Sequence, residues 1–217
     1  MSDVGKVLLG AVGALGIAWV NTRLGIWRDE RSDERKRKGA LVYSMALVES
    51  TLRRYARDCL AVANDDGEPV NDRDGEYEDW RTLVPEPTLV YLDKIDWTLF
   101  DESVLFNALA IPVIELRKKR ESQAAYDAAS LPYRYGFIEA RQLSFSRLAM
   151  FTANVLADFH KYHPAKFTSD QRELIDQVSK RMTELEDAAK KLEEDNAGWI
   201  ALGEKMRAEK AATSTEA

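Results

Sequence analysis

Residues Val7 to Val20 read VLLGAVGALGIAWV, with no charged or strongly polar side chain, and a dense run of charge follows. No other feature constrains the fold as much, because so apolar a run must be withdrawn from water. Its 14 residues make roughly 21 Å of helix, short of a hydrocarbon core about 30 Å thick. A start at Val4 gives 17 residues with Lys6 as the only charge, and a lysine one turn from the end can snorkel to the headgroups. Trp19 and Trp27 stand at the other end, where amphipathic rings settle at the interface. Residues 1–27 therefore read as a single N-terminal membrane anchor. A cleaved signal peptide is one alternative, with small-x-small sites at Ala14-Leu15-Gly16 and Gly16-Ile17-Ala18 but only Lys6 as a basic lead. A buried core helix is another. Gly10, Ala14 and Ala18 form a small-residue stripe that would let such helices approach closely, although small residues are common in apolar segments.

Residues 28–39 form a charged juxtamembrane segment. Arg23, Arg28, Arg31, Arg35, Lys36, Arg37 and Lys38 follow the apolar run, against Lys6 and the amino terminus before it. This excess of cations orients the chain as a single-pass protein of the bacterial inner membrane with its domain in the cytoplasm. The remainder has the composition of one folded domain: of 217 residues, 45% are hydrophobic and 31% charged. A net charge of -6 excludes the basic footprint of a nucleic-acid binder. One cysteine, Cys59, permits neither an internal disulfide nor a cysteine-rich zinc site.

The fold class is all-α: a membrane helix, then an antiparallel helical bundle over residues 40–165, then a long amphipathic helix. Leu41, Met45, Val48, Leu52, Tyr55 and Cys59 recur at steps of four and three and predict a helix over Ala40–Ala63, with Cys59 a small buried hydrophobe on its inner face. Asn64–Glu86 holds nine acids, glycines and prolines, and predicts a long exposed loop. Asp72-x-Asp74-Gly75 resembles part of a calcium loop, but aligning Gly75 at the sixth position puts Val70 first and Arg81 twelfth, where acids are needed. Thr88–Asp93 reads as a short helix. A capped helix starts at Asp101, with Val104, Leu105, Ala108, Ile111 and Leu116 as its apolar face and Pro112 as a kink or break. Arg117, Lys118, Lys119 and Arg120 make a basic patch that reads as a wet helix face. Gly136–Tyr162, rich in Phe137, Leu143, Leu148, Phe151, Val155, Leu156 and Phe159, is the most buried element. His160 and His163 have metal-ligand spacing but no third ligand.

Thr168-Ser169-Asp170-Gln171 caps a last helix, the coiled-coil-like segment 166–210. Ile175, Met182, Ala189, Asn196 and Gly203 take one heptad position, and Val178, Leu185, Leu192, Trp199 and Met206 the other. Such a seam serves either a dimer or ordinary packing within the domain. Residues 211–217 read as a disordered tail. No strand pattern appears, and phosphate-loop, nucleophile-elbow, zinc-helix and C-x-x-C motifs are absent.

Two stretches, Ile95–Glu115 (IDWTLFDESVLFNALAIPVIE) and Tyr133–Ala165 (YRYGFIEARQLSFSRLAMFTANVLADFHKYHPA), lie behind the single apolar segment. In that layout the chain resembles uncharacterised bacterial single-pass membrane proteins with an N-terminal membrane segment and a helical domain. The resemblance implies the anchor and the bacterial setting, and it brings no catalytic motif. Asp96-Trp97 reads as a capped helix start, and Glu139-x-Arg141-Gln142 as a helix-surface ion pair. The expected function is that of a membrane-tethered interaction or scaffold protein whose partners are the membrane and a second copy or another protein. The alternative is a membrane-anchored sensor or regulator that binds a partner through the acidic loop or the basic patch. No catalytic, cofactor or metal residues are assigned.

Overall fold

The computed structural model describes residues 3–71, 78–129, 135–161 and 169–215; within these, only the backbone is described for 3–18, 20–22, 71, 78–79, 135, 160–161, 199–205 and 207–215. The elements are α1 (Asp3–Ala63), β1 (Glu68–Asn71), β2 (Glu78–Arg81), a single 3-10 turn (Trp97–Leu99), α2 (Glu102–Ala128), α3 (Tyr135–Lys161) and α4 (Ser169–Thr215). The chain divides into two compact units, Met1–Leu47 with Asp93–Phe100, and Val48–Leu92 with Asp101–Ala217.

The first unit consists of the N-terminal part of α1 and the short segment 93–100. The apolar run, the charged segment and the predicted Ala40–Ala63 helix are one uninterrupted helix, because no glycine–proline break divides them. Ser44 Oγ accepts from the Asp96 backbone N–H at 3.2 Å, and Asp96 caps the 3-10 turn by accepting from Thr98 N at 3.1 Å. The capped start read at Asp96-Trp97 is thus present. The side chains of residues 4–18 lie outside the described ones; among the described residues, no helix is long and apolar enough to cross a membrane.

The second unit is a helical bundle. The periodic stripe on α1 is buried as its spacing requires, with Val48, Leu52, Tyr55 and Cys59 inside. Val104, Ala108 and Ile111 of α2, Ile138, Phe145, Leu148 and Leu156 of α3, and Leu174 and Val178 of α4 complete the core. The bundle is not wholly antiparallel. The Tyr126 and Phe137 rings meet edge to face at 5.0 Å, joining the end of α2 to the start of α3, and α3 runs against α4 as well. In contrast, Gln171 donates to Glu49 at one end and Arg181 to the Ala63 carbonyl at the other, so α4 runs with α1. Two parallel neighbours cannot be joined by a tight turn, and α2 and α3 stand between α1 and α4 in the chain.

Several sequence expectations are corrected. The acidic segment is no plain loop: β1 and β2 pair antiparallel within it, Glu68 opposite Arg81 and Pro69 opposite Trp80. Charged side chains hid this hairpin from an alternation test. Gly67, at φ +68°, makes the turn out of α1, and a Cβ there would stand 3.1 Å from the Arg81 carbonyl oxygen. Thr88–Asp93 is not helical, and Pro85 and Pro87 disfavour helical backbone in the residues before them. Pro112 does not split its helix: α2 continues through it. α4 extends to Thr215, into the segment expected to be disordered.

Candidate functional site

The best-built polar region lies beneath residues 82–92, a strap without regular secondary structure. Backbone N–H groups of such a segment must find partners elsewhere, and here buried carboxylates provide them. Asp65, just past the end of α1, accepts from Gly67 N at 3.1 Å, Leu83 N at 3.0 Å and Val84 N at 3.0 Å. Glu115 of α2 accepts from Leu89 N at 2.8 Å and from the Tyr55 hydroxyl at 2.9 Å, and Lys119 Nζ stands 2.7 Å from it. Lys119 also donates to Thr88 Oγ1, and Tyr91 donates its hydroxyl to the Ala108 carbonyl at 2.7 Å.

Arg141 of α3 neutralises the Asp65 end. Its side chain is only 2% exposed; Nη1 donates to Asp65 Oδ2 at 2.9 Å, Nη2 to the Val84 carbonyl, and Nε lies 3.6 Å from Glu86 Oε1. Gln142 donates to the Asp65 carbonyl and the Asp66 carboxylate. Burial pushes the Asp65 carboxyl up; the Val84 and Gly67 N–H bonds and Arg141 outweigh it and leave it below the usual aspartate range. The reading of Glu139-x-Arg141-Gln142 as a surface ion pair is therefore corrected. Arg141 points into the core, and Glu139 faces a separate groove of about 390 Å³ between α3 and α4, where burial raises its carboxyl. Nothing local in the sequence pairs Arg141 with a residue 76 positions away.

Beside the strap lies an open cavity of about 530 Å³, lined by Trp80, Arg81, Glu86, Lys119, Ser122 and Tyr126 among others. The hairpin and the basic end of α2 thus share one hollow. The basic patch is not uniformly wet: Lys118 and Lys119 are largely covered and pair with Glu121 and Glu115, Arg117 lies 3.8 Å from Glu121, and Arg120 is exposed. Cations already committed to carboxylates are poor anchors for an incoming anion. Cys59 is fully buried, and burial raises its thiol well above the ordinary range, so it is no ready nucleophile. Among the described residues, no cluster of metal-ligating side chains occurs. Asp72–Gly75, His163 and the His160 side chain lie outside them.

Two surfaces stand out. Trp19, Leu24, Ile26 and Trp27 are exposed on α1, with the Arg23 guanidinium 5.3 Å from the Trp19 ring centroid and that of Arg31 5.2 Å from Trp27. On α4, Val178 is buried and Ile175, Met182 and Leu185 are partly covered, so the first heptads pack within the domain. From Glu186 to Gly198 every side chain is exposed, including Leu192; the Trp199 side chain lies outside the described residues. Compared with described protein families, curated proteins and solved structures, the chain matches none.

Proposed function

We propose that this chain is a membrane-tethered helical interaction or scaffold protein of the bacterial inner membrane, anchored once through its N-terminal segment with the folded domain in the cytoplasm. One observation carries the reading. From the end of a run of 17 residues with a single charge onward, α1 presents a collar of exposed Trp19, Leu24, Ile26 and Trp27, each tryptophan with an arginine against its ring. Exposed tryptophans flanked by arginine suit the headgroup zone, where the ring is half solvated and the cation meets phosphate. In water the same collar would be an unfavourable patch. The buried ionic network supports a structural role, since its charges are saturated by each other and by backbone.

Fractionation of cells expressing the full chain tests this. The protein should stay with membranes through high salt and carbonate, and a reporter active only outside the cytoplasm, fused after Ala212, should be silent. Full-length protein in the soluble fraction would overturn the anchor. A shortened soluble product would indicate a cleaved signal, and an active reporter would reverse the orientation. The shared hollow between the hairpin and α2 favours a second reading, a regulator that takes a ligand there. It predicts that Tyr126→Ala, on the lining, abolishes a regulatory effect while leaving membrane association intact.

A further inference from the structure

The core-facing side of α2 is Val104, Ala108, Ile111, Glu115 and Ser122, all buried. The sequence placed Leu116 on that side; instead it belongs to a second apolar stripe. Phe106 is 74% exposed, Leu109 47%, Val113 70% and Leu116 52%. Their steps of three, four and three put all four on one face, away from the core face, with the spacing of a helix–helix seam. A helix apolar on both sides normally has both covered, and no described part of the chain covers this one.

We infer that this stripe packs against the same stripe of a second copy, antiparallel, about a two-fold axis at Ile111. The stripe is its own complement in that geometry. Reversing its direction about Ile111 exchanges Phe106 with Leu116 and Leu109 with Val113, so a large side chain faces an aliphatic one in every layer. The next seam positions outward are Glu102 and Arg120, which the same reversal brings together. Both are exposed, and neither makes an ion pair with another described residue. Each end of the seam thus closes with an acid of one copy against a base of the other, and a parallel pairing would set like against like. An isologous contact of this kind closes on itself and stops at two copies. The inference deepens the scaffold reading by naming the partner and the face, and it does not need the anchor.

The test uses the full chain in intact cells, with two differently tagged copies each carrying one introduced cysteine. Leu109→Cys in one copy should form a disulfide with Val113→Cys in the other on oxidation. Phe106→Cys with Glu102→Cys, held roughly 20 Å apart in this register, should not. Glu102→Lys or Arg120→Glu alone should lower the crosslinked yield about tenfold by placing like charges at both ends, and Glu102→Lys with Arg120→Glu should restore it. Absent 109–113 crosslinking, equal crosslinking in the wrong register, no rescue by the charge exchange, or crosslinks only through Leu192→Cys on α4 would each overturn the inference. Membrane association of the same samples reports on the anchor separately, so one reading can fail without the other.

Discussion

Replacing Arg141 with leucine is the sharpest test of the buried network. The guanidinium is 2% exposed and meets Asp65 Oδ2 at 2.9 Å, the Val84 carbonyl and, at 3.6 Å, Glu86. Leucine fills much of the volume but leaves the Asp65 carboxylate, 1% exposed, with backbone donors and no countercharge. It also orphans the Val84 carbonyl. Removing one member of a buried pair costs about 3–5 kcal/mol, a large share of the roughly 5–15 kcal/mol that holds a domain folded. Arg147→Ala is the matched control: Arg147 pairs with Glu186 at 3.3 Å, but both are nearly half exposed, and such pairs contribute about 0–1 kcal/mol. Arg141→Lys should fall between them, since an ammonium cannot reach three acceptors in a planar fork. Urea unfolding of the full chain in mild detergent, followed by circular dichroism, reads each variant as a shift in midpoint at constant slope. A shift for Arg141→Leu no larger than that for Arg147→Ala would refute the reasoning, and the strap would then be held by its apolar contacts alone.

Three further outcomes follow from the same geometry. Asp65 has a lowered folded-state pKa, so its contribution is complete above the ordinary aspartate value near 3.9 and fades as pH falls through the lower folded value; Asp65→Asn should flatten that acid limb of a stability–pH curve, and an unchanged limb would contradict the assignment. Gly67→Ala should destabilise by roughly 1–2 kcal/mol for the left-handed backbone, more if the Arg81 carbonyl at 3.1 Å cannot yield; a melting temperature equal to that of the parent would count against the turn. The buried Cys59 thiol, raised by burial, should react with a thiol reagent only on unfolding, and prompt native labelling would place it at the surface.

Helices were legible in the sequence wherever one face was clearly the apolar one. On α1, Met45, Val48, Leu52, Tyr55 and Cys59 are buried as their spacing demanded. On α2 the same rule failed for Leu116, because a helix apolar on two sides offers two stripes and periodicity cannot choose between them. The heptad of α4 was real as a pattern, yet its first half, through Val178, serves packing within the domain. The hairpin was hidden because its strands carry acids and a proline where alternation would have marked them. The polar network was illegible for a different reason. Asp65 lay among nine acids with nothing to single it out, Arg141 looked like any helical arginine, and Glu115 fell inside an apolar pattern. Only folding, which brings Asp65, Val84 and Arg141 together and sets Glu115 against Tyr55 and Leu89, gives these charges their roles.

The strap carries a kinetic consequence. Exposed irregular chain usually exchanges its amide hydrogens quickly through small local openings. Leu83, Val84 and Leu89, however, donate to carboxylates rooted at the end of α1 and in the middle of α2. Freeing any one of these amides takes a donor from a buried carboxylate, so fraying of the segment is costly. Its exchange should therefore follow the opening of the helices beneath it, and residues that belong to no helix or strand should rank among the slowest amides of the domain.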